Sequence, residues 1–444
     1  LNRFGRRIFA SIGFSFGVLC GHAHADSLPA GIGAYRVGGR FITSVSESYD
    51  QHGNLQPLGL RLSSQFDGRT ILSGDQTSDL YRLASELDRI SDPTNPGQTY
   101  ADRLNLGHLK GEVDANIQAQ FVGLSFGLAN QWNIFAGAPW IQARIKTEIS
   151  LQGENNAAVI RDELGNLAYD QLRDGLNRAA LLSTASIQQA IRDAGYQELG
   201  TWRQESIGDL RLGINKEISP KSIRGGLLGQ RWEFTVLLPT GYVDDPEILH
   251  DVSLGKGYFQ AINQWNASVQ SRLGLEFGVS GGYAYNFDAT RSVRVPQTDE
   301  SLVDISRTVD ARLNPGDDVF GGSNIYYSRD WWKFGVSGQY SRHFADAYSG
   351  SMSGNYGALS AQSASERFET CLHLSFSSIA AYSKRKFAVP AMLDLAYQRV
   401  VGAVNETPQN YFEVAFTSFF DARRSQSKSE RNTKSRRTHK LASK

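Results

Sequence analysis

Cysteine is nearly absent: the 444 residues hold two, Cys20 and Cys371. Cys20 falls in a segment expected to be removed on export, which leaves a single thiol and no possible internal disulfide. No run of 18 apolar residues occurs, and mean hydropathy is −0.36. A bundle of transmembrane helices is thereby excluded, but a membrane barrel is not, because its lipid-facing residues alternate with polar lumen residues. Methionine (2) and proline (12) are scarce, whereas glycine (44) and aromatic residues (23 Phe, 18 Tyr, 7 Trp) are abundant. That mixture suits strands better than helices.

The first residues predict a compartment. Arg3, Arg6 and Arg7 precede the short apolar stretch 8–19, and Ala23-His24-Ala25 has the small-x-small form of a cleavage site. The expectation is a signal peptide over 1–25, cleaved on export. Leu19 before Cys20 is too large for lipoprotein processing. At the other end, 421–444 carries nine Lys/Arg against Asp421 and Glu430, is rich in Ser and has almost no apolar residues. It is expected to be a disordered basic tail. The overall balance of 46 basic and 45 acidic residues therefore hides an acidic body. Nucleic acid is not an expected partner after export.

Period-two alternation gives the architecture. Leu275, Phe277, Val279, Tyr283, Tyr285 and Phe287 share one face, and Glu276, Ser280, Asn286 and Asp288 the other. Trp332, Phe334, Val336 and Tyr340 repeat the pattern against Lys333, Ser337 and Gln339, as do the stretches 367–378 and 386–400. Alternation over about ten residues is the length that crosses a bilayer at a tilt. Strands are predicted near 33–47, 109–128, 132–149, 206–216, 231–240, 258–270, 275–290, 317–328, 332–345, 367–378, 386–400 and 410–420. The expected fold is all-β: a 12-stranded antiparallel transmembrane outer-membrane β-barrel spanning 26–420, with helical insertions in the long outer loops. Turns after even-numbered strands are mostly short (129–131, 271–274, 329–331) and should face the periplasm. In the second strand Val122, Leu124 and Phe126 run out of phase with Val113 and Ile117, which reads as a bulge.

Trp132, Trp232, Trp331 and Trp332 sit at the starts of upward strands and, with Phe420, are expected to form an interfacial aromatic girdle. The strand 412–420 ends in the aromatic pattern that barrel-assembly machinery reads, although here the chain continues past it. Helical spacing appears in two outer connections, about 77–90 (Leu80, Leu83, Leu87, Ile90) and 155–195 (Ile160, Leu164, Leu172, Leu176, Ile187, Ile191). These helices are either a lid or plug over the lumen or a folded outer cap, and the spacing does not choose.

Inward-facing candidates are Asp209, Arg211, Glu233, Glu276, Lys333, Gln339, His373, Asp394 and Glu413. Such charges either pair into a packed lumen that braces the wall or line a constricted pore that selects solutes. Enzymatic and metal readings are weaker. His343 has Asp346 three residues on, but no third member and no G-x-S-x-G elbow follow. Cys371 and His373 share a face without further ligands. Gly255-Lys256-Gly257 is too short to cradle a phosphate, so neither catalytic residues nor a cofactor or metal are expected.

Gly208-Asp209-Leu210-Arg211-Leu212-Gly213, then Phe234-Thr235-Val236-Leu237-Leu238-Pro239-Thr240-Gly241, then 255–264 resemble the outer-membrane family of meta-pathway phenol degradation. That family is similar in character to the hydrophobic-compound channels of the long-chain fatty-acid type. The resemblance covers 207–286 most clearly and implies an outer-membrane protein handling small aromatic or apolar molecules. It implies no particular binding residue, and the long helical insertion departs from it. The expected function is passive uptake of small hydrophobic or aromatic compounds through the outer membrane of a Gram-negative bacterium. The alternative is a non-conducting structural or surface-interaction barrel.

Overall fold

A computed structural model describes residues 28–421 apart from 43, 75, 77, 166–168 and 299–301. The expected signal peptide and most of the expected basic tail lie outside the described residues. Twelve strands form the wall: β1 (Ile32–Ile42), β2 (Asn105–Gly127), β3 (Trp132–Asn155), β4 (Leu210–Ile223), β5 (Gly226–Leu238), β6 (Gln260–Ser271), β7 (Leu275–Asn286), β8 (Asp318–Arg329), β9 (Trp332–His343), β10 (Ser365–Ser377), β11 (Ala391–Val404) and β12 (Tyr411–Asp421). Each pairs antiparallel with the next, and β12 pairs with β1, so the sheet closes. Closure satisfies every edge, the condition for spanning a membrane with strands.

Period two explains the wall. On β9, Phe334 and Val336 are half-exposed on the outside while Gly335 is buried within; on β10, Phe368 and Leu372 face out while Glu369, Cys371 and His373 are buried. The outward rings and branched chains form a continuous apolar band, far larger than a water-facing surface carries. Trp132 and Trp232 meet edge-to-face with centroids 6.0 Å apart near the short-turn end, and Trp331 stacks on Phe376 at 5.5 Å. Trp332 meets Tyr327 edge-to-face, and Phe420 is half-exposed.

Four expectations need correction. The phase change in β2 is not a bulge: β2 and β3 pair without a break from His108↔Gln152 to Gly127↔Asn133. From Leu109 to Gly127 the odd-numbered residues of β2 point inward, and the surroundings change instead. Below Val122 and Trp140 the outside is apolar; above them it carries Gln120, Gln118, Gln142 and Arg144, while the inside becomes apolar at Ala119, Ile117, Ile141 and Ile145. The irregularity in β2 falls at Leu106/His108. Second, the fourth strand is interrupted: Thr201–Ile207 and β4 both pair with β3, separated at Gly208-Asp209 opposite Pro139. Proline has no N–H to give a neighbouring strand, so the ladder breaks there. Third, β11 begins at Ala391, and Phe387 and Val389 lie before it. Finally, β7 stops at Asn286, and a separate outer hairpin, Ala289–Arg294 with Thr308–Asn314, also pairs Ala347–Ser349.

Two short helices lie at Gly357–Ser360 and, in the connection after β10, at Ile379–Ser383; six more among the described residues fill the connections from β1 to β2 and from β3 to β4. They are α1 (Gly68–Leu72), α2 (Asp79–Leu87), α3 (Tyr100–Arg103), α4 (Ala157–Leu164), α5 (Asp170–Ala180) and α6 (Thr184–Asp193). The Ser78 hydroxyl accepts from the Tyr81 amide to start α2, and a Ser183/Ser186 capping box starts α6. Gly195, at φ +78°, lets the chain leave α6. Leu83, Leu87, Ile160, Leu164, Leu172, Leu176, Ile187 and Ile191 form one core with the inner faces of outer β2 and β3. The fully buried Arg294 ties this cap to the outer hairpin. Its guanidinium donates to the carbonyls of Ala194 and Gly195 (both 2.7 Å) and lies 3.6 Å from the centre of the Tyr196 ring.

Candidate functional site

Two cavities lie one above the other in the bore. The lower, of about 290 Å³, is bounded by β1 to β6 and by Met392, Thr417 and Phe419 from β11 and β12. The upper, of about 90 Å³, is bounded by β5 to β10, by the 239–259 connection, and by Pro139 of β3, Asp209, Arg211 of β4 and Glu406. Pro139, Arg211 and Ile262 line both. Among the described residues no side chain of α1 to α6 lines either cavity; the helices pack instead on the inward faces of outer β2 and β3.

What enters the bore is the 239–259 connection. Asp209, at the break in the fourth strand, accepts from the Gly241 amide (3.1 Å) and the Lys256 amide (2.7 Å), pinning both ends of the connection to one carboxylate. Gly241 and Gly255 pass so close that a Cβ on either would collide with the other's backbone. Lys256 reaches across to Asp318 (3.2 Å), which also accepts from the Gln260 amide group (2.7 Å). His343 faces Asp318 through Nδ1 (2.8 Å) and Asp346 through Nε2 (3.0 Å). Both ring nitrogens of His343 are thus directed at carboxylates, the geometry of a clamp between Asp318 and Asp346. Farther out in the same connection, Tyr242 donates to Asp251 (2.8 Å). Burial, reinforced by the charge of Asp244, pushes the Asp251 carboxyl up to about 7, and burial lowers His250 to about 4.

The predicted residues divide into two groups. Asp209, Arg211 and Gln339 border the upper cavity, and Arg211 and Glu233 the lower. The other five border neither cavity and hold side-chain partners inside the barrel, Lys333 half-buried and the rest buried. Glu276 pairs with Lys333 (2.9 Å), His373 meets Ser337 (3.1 Å) and the Tyr326 ring, Asp394 takes Arg36 (3.2 Å) and Ser375 (2.7 Å), and Glu413 takes Arg40 (2.7 Å). Nearby, Tyr411, Gln398, Glu369 and Arg367 continue a chain of polar contacts. Cys371 is buried beside Ala396, packed as a small apolar group.

Sequence reasoning missed Arg36, Arg40, Arg231 and Lys256. Parity could have found the first three, since Arg36 and Arg40 alternate with Tyr35 and Phe41, and Arg231 with Trp232. Lys256 sits in a connection whose path no periodicity describes. Two aromatic residues also shape the lower cavity through glycine: Phe135 lies flat over Gly213 and Phe121 over Gly38 on paired strands, where any Cβ would overlap the ring. Flattening the rings against the wall keeps the bore open at that level.

No family model and no curated protein matches the chain. Among solved structures, an outer-membrane channel from Pseudomonas putida F1 matches with a TM-score of 0.48 and 10% identity, over 89% of this chain and 98% of that one. The transport unit of the autotransporter AIDA-I from Escherichia coli matches with a TM-score of 0.35 and 8% identity, over 92% and 95%. A mutant of the monoaromatic hydrocarbon channel TodX matches with a TM-score of 0.33 and 10% identity, over 89% and 91%.

Proposed function

We propose that this chain is a channel of the Gram-negative outer membrane through which small hydrophobic or aromatic compounds pass down their gradient. The observation that carries the reading is the pair of cavities sharing Pro139, Arg211 and Ile262 inside a closed wall with an apolar outer band. An apolar cavity of about 150 Å³ is enough for benzene, so the lower cavity of about 290 Å³ has room for a substituted ring. Its walls mix Phe121, Phe135 and Ile262 with a few polar groups, as sites for such compounds do. The connection held by Asp209 and Lys256 narrows the path above it.

In this reading, residues 1–25 direct export and are removed, and β12 presents Phe412, Phe416 and Phe420 to the barrel-assembly machinery. The aromatic girdle sits at the periplasmic interface, in contact with lipid. A second reading, a non-conducting structural barrel, draws on the ion pairs and hydrogen bonds that fill the bore beside β10 to β12. Uptake of radiolabelled benzyl alcohol into lipopolysaccharide-containing vesicles distinguishes the two. Vesicles carrying the protein should fill several-fold faster than protein-free ones, and equal rates with folded protein would favour the structural reading.

A further inference from the structure

The lower cavity has an unbalanced lining. Four arginines border it, Arg36, Arg40, Arg211 and Arg231, against one carboxylate, Glu233. Asp394 and Glu413 hold Arg36 and Arg40 from the wall (Arg36 at 3.2 and 3.6 Å, Arg40 at 2.7 Å) without themselves bordering the space. Arg231 is only loosely engaged with Glu233, at 4.0 Å. The Nε groups of Arg36 and Arg231 are buried and donate to no described group. The remaining walls mix the apolar Phe121, Phe135, Met392 and Phe419 with the uncharged polar Asn215, Thr235, Gln264 and Thr417.

Arg36 and Arg40 are met by Asp394 and Glu413 from the wall, which leaves Glu233 as the one carboxylate that borders the space beside Arg211 and Arg231. Burying a cation is costly, and the cost is recovered only where charge or acceptors meet it. Guanidinium groups bind carboxylates through paired N–H bonds, more strongly than neutral donors do, and they lose less hydration than ammonium groups. A ring lying along Phe121 and Phe135 with its acid group turned to Arg211 and Arg231 would use both halves of the lining. We therefore propose that the lower cavity is a binding site for small aromatic carboxylates, and that the channel passes these in preference to neutral aromatic compounds of the same size. The proposal rests on the channel reading for its transport clause, while the binding clause stands independently.

Calorimetric titration of the detergent-solubilised full-length protein with benzoate, benzyl alcohol and acetate tests the site. Benzoate should bind at least tenfold more tightly than either of the others. Arg231→Gln and Arg211→Gln should each weaken benzoate about five- to tenfold and benzyl alcohol less than twofold. Heat-modifiable gel mobility establishes that each variant is folded, and if one is not, the other and the wild-type comparison still decide. Benzyl alcohol binding as tightly as benzoate would overturn the anionic preference; acetate doing so would overturn the aromatic one; no binding of benzoate would remove the site. Bi-ionic potentials with benzoate against chloride test passage, and a benzoate permeability far below chloride overturns the transport clause. Benzyl alcohol flux without benzoate preference would leave the channel reading standing, whereas tight benzoate binding with no flux of either compound would overturn that reading and keep the site.

Discussion

At the scale of single residues, the inside and outside of the wall make opposite demands. Leu372, half-exposed near the middle of β10, faces outward where lipid is expected. A cation at the centre of a lipid-facing strand costs about 2–4 kcal/mol. Leu372→Arg should destabilise the refolded barrel by about that amount in urea titrations in lipid vesicles. An unchanged midpoint would place β10 outside the bilayer. Within the bore, Gly213 lets Phe135 lie flat. Gly213→Ala should swing that ring into the lower cavity and reduce benzyl alcohol flux at least threefold without unfolding the barrel. Asp251 gives a pH dependence. Its carboxyl is held at about 7 by burial, against an ordinary value near 4, with Tyr242, Asp244 and Asp245 facing it and Arg291 engaging Asp244. A folded-state pKa raised above the unfolded one favours the packed connection at low pH; the advantage declines as pH rises from about 4 to about 7 and is gone above that. The buried neutral His250, lowered to about 4, acts in the opposite sense over the same range, so in a His250→Gln background a nitroxide on Glu247→Cys should be more immobilised at pH 5 than at pH 8, and adding Asp251→Asn should flatten the difference.

At the scale of elements, the cap and the 239–259 connection do different work. Arg294 closes the carboxyl end of α6 from the outer hairpin. Its replacement by Leu leaves buried carbonyls unsatisfied at a cost of about 1–3 kcal/mol each. Arg294→Leu should therefore raise hydrogen exchange in α6 at least tenfold, with exchange in β7 to β11 unchanged. The strands of that second half were legible because each face keeps one environment along its length: Phe277, Val279, Phe334, Val336 and Leu372 meet the apolar side, and Glu276, Lys333 and His373 the interior. In β2 and β3 the same alternation was read as a bulge because Gln118 and Ile117 exchange chemistry with Val122 and Phe121 where the strand leaves the membrane level. Hydropathy records the surroundings of a face as well as its direction, and here only the surroundings changed.

At the scale of the whole molecule, the site was legible only where the wall supplied it. Asp209, Arg211, Glu233 and Gln339 could be placed by parity, and all four border the cavities. Their partners Lys256 and Asp318 come together through a connection folded back into the bore, and the closure of twelve strands brings Asp394 and Glu413 to Arg36 and Arg40. No local spacing encodes such meetings. The central claim is that the bore is a continuous passage narrowed by one connection, which Asp209 pins through the Gly241 and Lys256 amides. Single-channel recording of the refolded full-length protein beside Asp209→Ala tests this most directly. Small, discrete conductance in the wild type and larger or noisier conductance in Asp209→Ala are the expected results. A folded wild type and a folded variant that both remain silent would contradict the claim.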